Sequence, residues 1–173
     1  SSSKESEKEV NYVWDEENRL KEVVTETNNV YFLYNAGGER TLKKSNYGET
    51  LYVNSMYQIY NRDVITKHIF VGTTRIVSKL SHKEPASESV DIAYEQKNVY
   101  TYHPDHLGST HFVTDADGDD YEHNEYTPYG EVFINEGDSL DKVGYTFSSK
   151  ELDEETGLYY FGARYLNPKT GRW

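Results

Sequence analysis

The stretch Tyr31-Phe32-Leu33-Tyr34-Asn35-Ala36-Gly37-Gly38-Glu39-Arg40 decides the fold. It reads aromatic, any residue, aromatic, then Asn, a glycine turn and Arg. An earlier copy reads Tyr12-Val13-Trp14-Asp15-Glu16-Glu17-Asn18-Arg19-Leu20. Alternate aromatics are the mark of a strand that shows every second side chain to one face. Asp15 or Asn35 at the strand exit can bond the turn backbone, and the glycines accept positive φ cheaply. Arg after the turn can lie over a neighbouring ring or pair with the acid. Each unit is a hairpin that buries its face only when neighbours stack beside it.

Working outward, the same grammar recurs. Asn28-Asn29, Asn46-Tyr47-Gly48, Asn61-Arg62-Asp63 and Gly72 punctuate short β-branched and aromatic runs, including Val64 to Val71 and Thr74 to Leu80. Turn signals at about ten-residue spacing predict an antiparallel meander. Helical periodicity is absent, apart from one expected helical turn over Glu151 to Thr156 closed by Gly157. The expected class is all-β: a curved antiparallel sheet of consecutive hairpins with little helix. Four segments follow. Residues 1–9, all Ser, Lys and Glu, are expected to be disordered. Residues 10–80 hold the hairpin repeats. The polar, proline-bearing residues 81–89 form an exposed loop. Residues 90–173 form a denser, less repetitive segment.

Composition narrows the classes. The chain has 173 residues, one domain's worth, with a net charge of -12 from 18 basic and 30 acidic side chains. Leu, Ile, Val and Phe together number 36, near the floor for an ordered core, while Tyr contributes 17. An ordered fold therefore rests on half-buried, Tyr-rich surfaces. The acidic balance opposes nucleic-acid binding, which needs cations on phosphates. No run approaches a membrane span or a signal peptide. Without Cys there are no disulfides and no thiolate chemistry. The opening Ser1-Ser2-Ser3-Lys4, without Met, reads as a trimmed or excised piece.

The second half carries denser motifs. His103-Pro104-Asp105-His106-Leu107-Gly108-Ser109-Thr110 comes first, followed by Val113-Thr114-Asp115-Ala116-Asp117-Gly118. Next are Tyr126-Thr127-Pro128-Tyr129-Gly130-Glu131 and Gly157-Leu158-Tyr159-Tyr160-Phe161-Gly162-Ala163-Arg164-Tyr165. Asn167-Pro168 and Gly171-Arg172-Trp173 close the chain. In order and spacing these resemble the Rhs repeat-associated core, and the first half resembles the tyrosine-aspartate repeats of the same Rhs and YD-repeat family. The resemblance covers Val10 to Trp173. It marks Tyr12, Trp14, Asp15, Tyr34 and Asn35 in the repeats as structural motif residues. In the core it marks Asp105, His106, Leu107, Gly108, Ser109, Pro128, Tyr129, Gly130, Gly157, Leu158, Tyr160, Gly162, Arg164, Tyr165, Gly171 and Arg172.

The resemblance implies a spiral β-shell that encloses a variable C-terminal toxin cargo, and a secreted or cell-surface setting with no export signal visible here. Its partners would be the remainder of a longer Rhs-type chain, or another chain of an assembly. In many bacterial members two aspartates beyond the Gly-Arg-Trp-like motif cut the chain. Their positions fall past Trp173, so no self-cleavage is expected. Too few repeats are present for a whole shell, which leaves an arc of a longer chain or a reduced relative bound to partners.

Chemistry candidates give way to structural readings. His103, Asp105 and His106 have a ligand-like spacing, but Pro104 and Gly108 make the segment a turn. Asp115 to Asp120 lacks the glycine and glutamate placement of a calcium loop, and Asp117-Gly118 reads as a hairpin turn. No nucleophile elbow and no obligatory carboxylate pair appear. No catalytic residue, metal or cofactor is expected. Leu158 to Ala163 is apolar on both faces and should be covered on both, with Arg164 stacked on a ring or paired bidentately. Tyr density leaves a second function open, a surface binding module for a glycan or a partner protein. An open sheet also has exposed edges, so association with other chains is expected.

Overall fold

The computed structural model describes residues 10–82, 97–137 and 144–173. Twelve strands run in chain order in one antiparallel sheet. They are β1 (Asn11–Trp14), β2 (Leu20–Val24), β3 (Asn29–Tyr34), β4 (Arg40–Lys44), β5 (Glu49–Asn54) and β6 (Tyr57–Tyr60). Then come β7 (Val64–Val71), β8 (Thr74–His82), β9 (Val99–Pro104), β10 (Thr110–Thr114), β11 (Asp120–Tyr126) and β12 (Val132–Glu136). A short 3-10 turn, Phe147–Ser149, leads into a second sheet of β13 (Glu151–Asp153), β14 (Leu158–Tyr160) and β15 (Tyr165–Leu166). Among the described residues the large sheet is open: β1 pairs only with β2, and β12 only with β11.

Five of the hairpins share one loop. The amide of Asp15, Asn35, Asp105, Asp115 or Thr127 donates to the carbonyl four residues on, and the amide three residues on donates back. At Asp15, Asn35, Asp105 and Asp115 the side-chain Oδ1 also accepts the amides two and four residues on. The residue three positions on is left-handed: Asn18, Gly38, Gly108, Gly118 or Gly130. This is a three-residue loop ending in a glycine bulge, and register shifts sit beside each. Around Asp105 burial pushes the carboxyl up, but the amides of Ser109 and Leu107 outweigh it and hold it below the usual carboxylate range. The Asp115 loop is the same turn, three residues long rather than the two expected from Asp117-Gly118 alone.

Two expectations change. Glu151 to Thr156 is not a helical turn: Glu151 to Asp153 pair with β14 as a strand, and the turn comes after them. Residues 81–89 do not begin as a loop, because Ser81 and His82 complete β8. The rest of that stretch, like residues 1–9, lies outside the described residues. As expected of one curved sheet, Val77, Ser78 and Lys79 of β8 pair with Thr101, Tyr100 and Val99 of β9, so β9 to β12 of the denser segment continue the sheet of the repeats.

One face of the large sheet carries Val23, Val30, Phe32, Lys43, Thr50, Tyr52, Gln58, Thr66, His68, Ser78, Tyr100, Tyr102, Val113, Glu122 and Asn124, neighbours by register. The small sheet packs on this face. Leu20, Val23, Val30 and Phe32 close with Leu158 and Tyr165 into one apolar cluster. Tyr100, Tyr102 and Val113 form a second, against Leu80, Tyr121 and Tyr145. Leu158 and Tyr159, adjacent and so on opposite faces of β14, are both buried, but the strand expected to run to Ala163 ends at Tyr160, Phe161 and Gly162 are only half-buried in the turn that follows, and Ala163 is exposed. The opposite face of the large sheet carries the exposed Tyr31, Leu33 and Leu51.

This face assignment is testable with two adjacent substitutions. Phe32→Ala empties the inner cluster and is expected to cost about 3–5 kcal/mol in urea unfolding. Leu33→Ala, on the outer face, is expected to cost no more than about 0.5–1 kcal/mol. Equal costs would contradict the register.

Candidate functional site: the buried polar seam

The seam between the two sheets is built around Arg40. The Asn35 loop delivers Arg40 to the first position of β4, and the bulge beside it, between Leu33 and Tyr34, turns it inward. Its Nη1 donates to Asp153 Oδ2 at 2.5 Å and its Nη2 to Glu151 Oε2 at 2.7 Å. Nη2 also reaches the Tyr52 hydroxyl at 2.9 Å, and that hydroxyl donates to Glu151 Oε1 at 2.7 Å. The guanidinium lies over the Tyr160, Tyr52 and Phe32 rings at 4.3, 4.8 and 5.4 Å. The Tyr160 hydroxyl accepts the Arg40 amide.

Lys43, on the same strand, brings a second cation. Its Nζ lies 3.0 Å from Asp153 Oδ1, 3.3 Å from Glu155 Oε2 and 3.4 Å from Glu151 Oε1. The side chains of Arg40 and Asp153 are 1% and 0% exposed. Burial alone would push Glu151 up, but Arg40 and Lys43 hold it below the usual carboxylate range. For Asp153 burial wins over the same two cations and raises it. The Arg40 guanidinium stays charged, since its carboxylate neighbours more than offset its own burial.

The seam continues along the sheet through hydroxyls and rings. Tyr34 donates to the Leu20 carbonyl at 2.6 Å, so the 2.8 Å contact with Tyr165 has Tyr165 as donor. Burial pushes Tyr34 up to about 12. Tyr145 donates to Gln58 Oε1 and lies under the Arg75 guanidinium. Its ring meets His68 edge-on at 5.0 Å. His68 Nδ1 is 2.7 Å from Ser78 Oγ, which is 2.7 Å from the Tyr102 hydroxyl. Burial, and secondarily Arg75, pushes His68 down to about 3, so the ring is neutral. At the far end, Ser148 N donates to Ser109 Oγ, Ser149 Oγ to the Gly108 carbonyl, and Thr110 N to the Thr146 carbonyl. Tyr159 donates to the Gly130 carbonyl at 3.0 Å. A Cβ on Gly130 would sit 2.6 Å from the Phe147 ring, and its φ of +87° disfavours any side chain.

The motif residues expected from the sequence fall into three groups. Tyr34, Gly108, Ser109, Gly130, Leu158, Tyr160 and Tyr165 meet in this seam. Asp15, Asn35 and Asp105 hold hairpin loops, with His106, exposed Leu107, Pro128 and exposed Tyr129 at loop tips. Arg19 fulfils both roles expected of it, 2.7 Å from Asp15 Oδ2 and 5.2 Å over the Tyr34 ring. The last group is peripheral. Tyr12 and Trp14 sit exposed on edge strand β1, and Gly157 and Gly162 have positive φ in turns around β14. Arg164 stacks 4.2 Å over Trp173, the ring contact expected for it. Gly171 abuts the Tyr129 ring, and Arg172 bridges to Asn167. Sequence reasoning missed Lys43, Tyr52, His68, Arg75, Tyr145, Glu151 and Asp153. The period-two acids Glu151 and Asp153 flanking Leu152 were the available signal, hidden by the helical reading.

A family model described as Teneurin YD-shell matches residues 3–173. Among curated proteins, the tRNA3(Ser)-specific nuclease WapA of Bacillus spizizenii is 27% identical over 170 residues, 92% of this chain and 7% of that protein. Toxin subunit YenC1 of Yersinia entomophaga is 39% identical over 71 residues, 39% of this chain and 7% of that one. Salivary gland surface protein 1 of Aedes aegypti is 32% identical over 81 residues, covering 46% and 2%. The crystal structure of TcdB2-TccC3 superposes with a TM-score of 0.78 at 22% identity, covering 95% of this chain and 9% of that one. A Photorhabdus luminescens Tc holotoxin pore gives 0.73 at 21%, covering 92% and 8%. The chain thus spans less than a tenth of each relative.

Two outcomes test the seam. Asp153→Ala leaves Arg40 and Lys43 buried with one partner fewer and is expected to cost about 3–5 kcal/mol, read by urea unfolding. His68 is neutral when folded, with its proton affinity depressed, whereas the unfolded ring takes a proton below pH 6.5. Unfolding therefore binds a proton, and stability falls as pH drops from 6.5 towards about 3. Between pH 6 and 5, above the carboxylate range, His68→Gln is expected to flatten this slope by up to about 1.4 kcal/mol per pH unit.

Proposed function

The chain belongs to the teneurin YD-shell family, and we propose that it is a non-catalytic arc of a β-shell that encloses or presents a C-terminal toxin cargo. The observation that carries this reading is the open sheet whose inner face is lined by the chain's own C-terminal segment. Strands β1 and β12 each keep one edge unpaired among the described residues. Such edges invite further strands of a longer chain or of an assembly partner. The small share of each relative that the chain covers supports the same reading. No geometry in the seam calls for chemistry: its carboxylates face cations, and its histidine is neutral and enclosed. The nuclease activity in one relative's name belongs to that whole protein and is not carried over. A secreted or cell-surface setting accords with the toxin subunit and the salivary gland surface protein among the relatives.

The alternative, a tyrosine surface for ligands, loses eight of the 17 tyrosine hydroxyls to the fold. Tyr34, Tyr52, Tyr102, Tyr126, Tyr145, Tyr159, Tyr160 and Tyr165 spend their hydroxyls on internal hydrogen bonds.

The test is limited proteolysis of the full-length parent polypeptide. The region following Trp173 is expected to be cut at least about tenfold more slowly in the native chain than in one carrying Asp153→Ala, because cleavage follows the population of the opened form. Equal rates, both matching the free region, would overturn the enclosure.

A further inference from the structure

Strands β9 to β12 crowd charge of one sign. Residues 97–137 carry nine carboxylates against a single lysine, Lys97, together with four of the chain's six histidines. Two of those imidazoles stand between three of the carboxylates in one row. Asp105 Oδ2 lies 3.7 Å from His111 Nε2, and His111 Nδ1 lies 3.6 Å from Glu125 Oε2. Glu125 Oε1 lies 3.1 Å from His123 Nε2, and His123 Nδ1 lies 3.4 Å from Glu136 Oε2. The row thus crosses from the β9–β10 loop to β12. Among the described residues no Lys or Arg pairs with any member of it. His106 is the other titratable group that bears on Asp105. Rings set both imidazoles in place: His123 stacks on Phe112 at 4.4 Å and 8° from parallel, and His111 meets Tyr126 edge-on at 5.5 Å.

The strand at the end of this row is shallowly held. β12 is an edge strand with no buried residue. Beside it lies a cavity of 240 Å³, lined by Asn124, Val132 and Asn135 of the large sheet and by Gly144, Thr146 and Leu152 of the segment packed on it. Beyond the backbone ladder with β11, two side chains tie β12 down among the described residues. The Asn135 carboxamide donates to Asn124 Oδ1 at 2.7 Å and to Glu122 Oε1 at 3.3 Å, and Glu136 meets His123. A strand with so little burial opens locally long before the whole fold does.

We propose that the row from Asp105 to Glu136 is a proton-operated clasp for the edge strand β12. With both imidazoles neutral, Glu125 and Glu136 are like charges on adjacent strands of one face, and their repulsion loosens β12. With both protonated, each cation stands between two carboxylates and draws β12 onto β11. The sign follows from His123. Its bonds to Glu125 and then Glu136 raise its proton affinity above that of a free imidazole. The docked strand therefore holds the proton more tightly than the opened one. The added hold is full below pH 6.5 and is lost as pH rises through the raised value. His68 works in the opposite direction, because its burial weakens the whole fold in acid. Acidification thus tightens the last edge of the sheet while global stability falls. The clasp rests on the fold alone, independent of any enclosed cargo.

The test is backbone hydrogen exchange of the protein at about pH 5.5 and about pH 7.5, each corrected for intrinsic exchange chemistry. The β12 amides are expected to be at least about threefold better protected at the lower pH. Strand β1 is the internal control, an edge with no buried residue and no histidine, and its protection is expected to stay level or fall in acid. His123→Gln is expected to remove the β12 difference and leave the strand at its looser level. Glu136→Gln alters a side chain 76% exposed, so the fold is kept. It is expected to shrink the difference and to lower the His123 titration midpoint read by NMR. Equal protection of β12 at both pH values, a matching gain in β1, or a pH response that survives in His123→Gln would each overturn the clasp.

Discussion

Everything in this fold depends on where Arg40 can place its charge. The guanidinium is enclosed between the sheets, and only Asp153, Glu151 and three aromatic rings make that position tolerable. A buried ionic cluster of this kind contributes little net stability over an apolar one of equal volume. Its contribution is register. Glu151 and Asp153 share one face of a three-residue strand, so a slip of one residue would turn both carboxylates away from the cations. A short, weak strand thereby acquires a single position on a twelve-stranded sheet.

The same economy runs through the interior. A chain this poor in aliphatic side chains cannot close two sheets by oil alone. Tyrosine supplies the area, and its hydroxyl then needs a partner wherever the ring is buried. The partners are other tyrosines, backbone carbonyls, Gln58, Ser78 and Glu151. The interior is therefore a connected polar network with two apolar clusters set into it. Such a network tolerates few alternatives, because each unpaired member carries the full cost of its lost solvation.

Outside the seam the structure is modular. One three-residue loop, closed by an Asp, Asn or Thr at its entry and a left-handed residue at its end, joins five of the strand pairs. Its local hydrogen bonds fix the pairing of each hairpin without help from distant parts of the chain. That independence allows the sheet to run on as a meander and leaves its end strands open to neighbours, as expected of a segment of a shell.

Sequence by itself determined the local elements. Strand periodicity, the Asp, Asn or Thr at the entry of the five shared loops and the glycine at the end of four of them act over a few residues and were legible in the sequence. The two-sided burial expected of Leu158 to Ala163 was legible for Leu158 and Tyr159 only, because the turn at Gly162 ends the strand after Tyr160 and leaves Ala163 exposed. Family membership could be read from the order of the core motifs. Only the tertiary structure decided which charges meet. Arg40 and Asp153 lie 113 residues apart, and no periodicity in either segment announces the other. Read alone, Glu151 to Thr156 looks like a capped helical turn, with acids and a closing glycine. Pairing with β14 and the cations of β4 overrode that local preference, since a buried strand with its carboxylates neutralised outweighs one isolated turn of helix. The division of the tyrosines between a spent interior and a free exterior also required the packed sheets, because a ring's exposure depends on what crosses it in space.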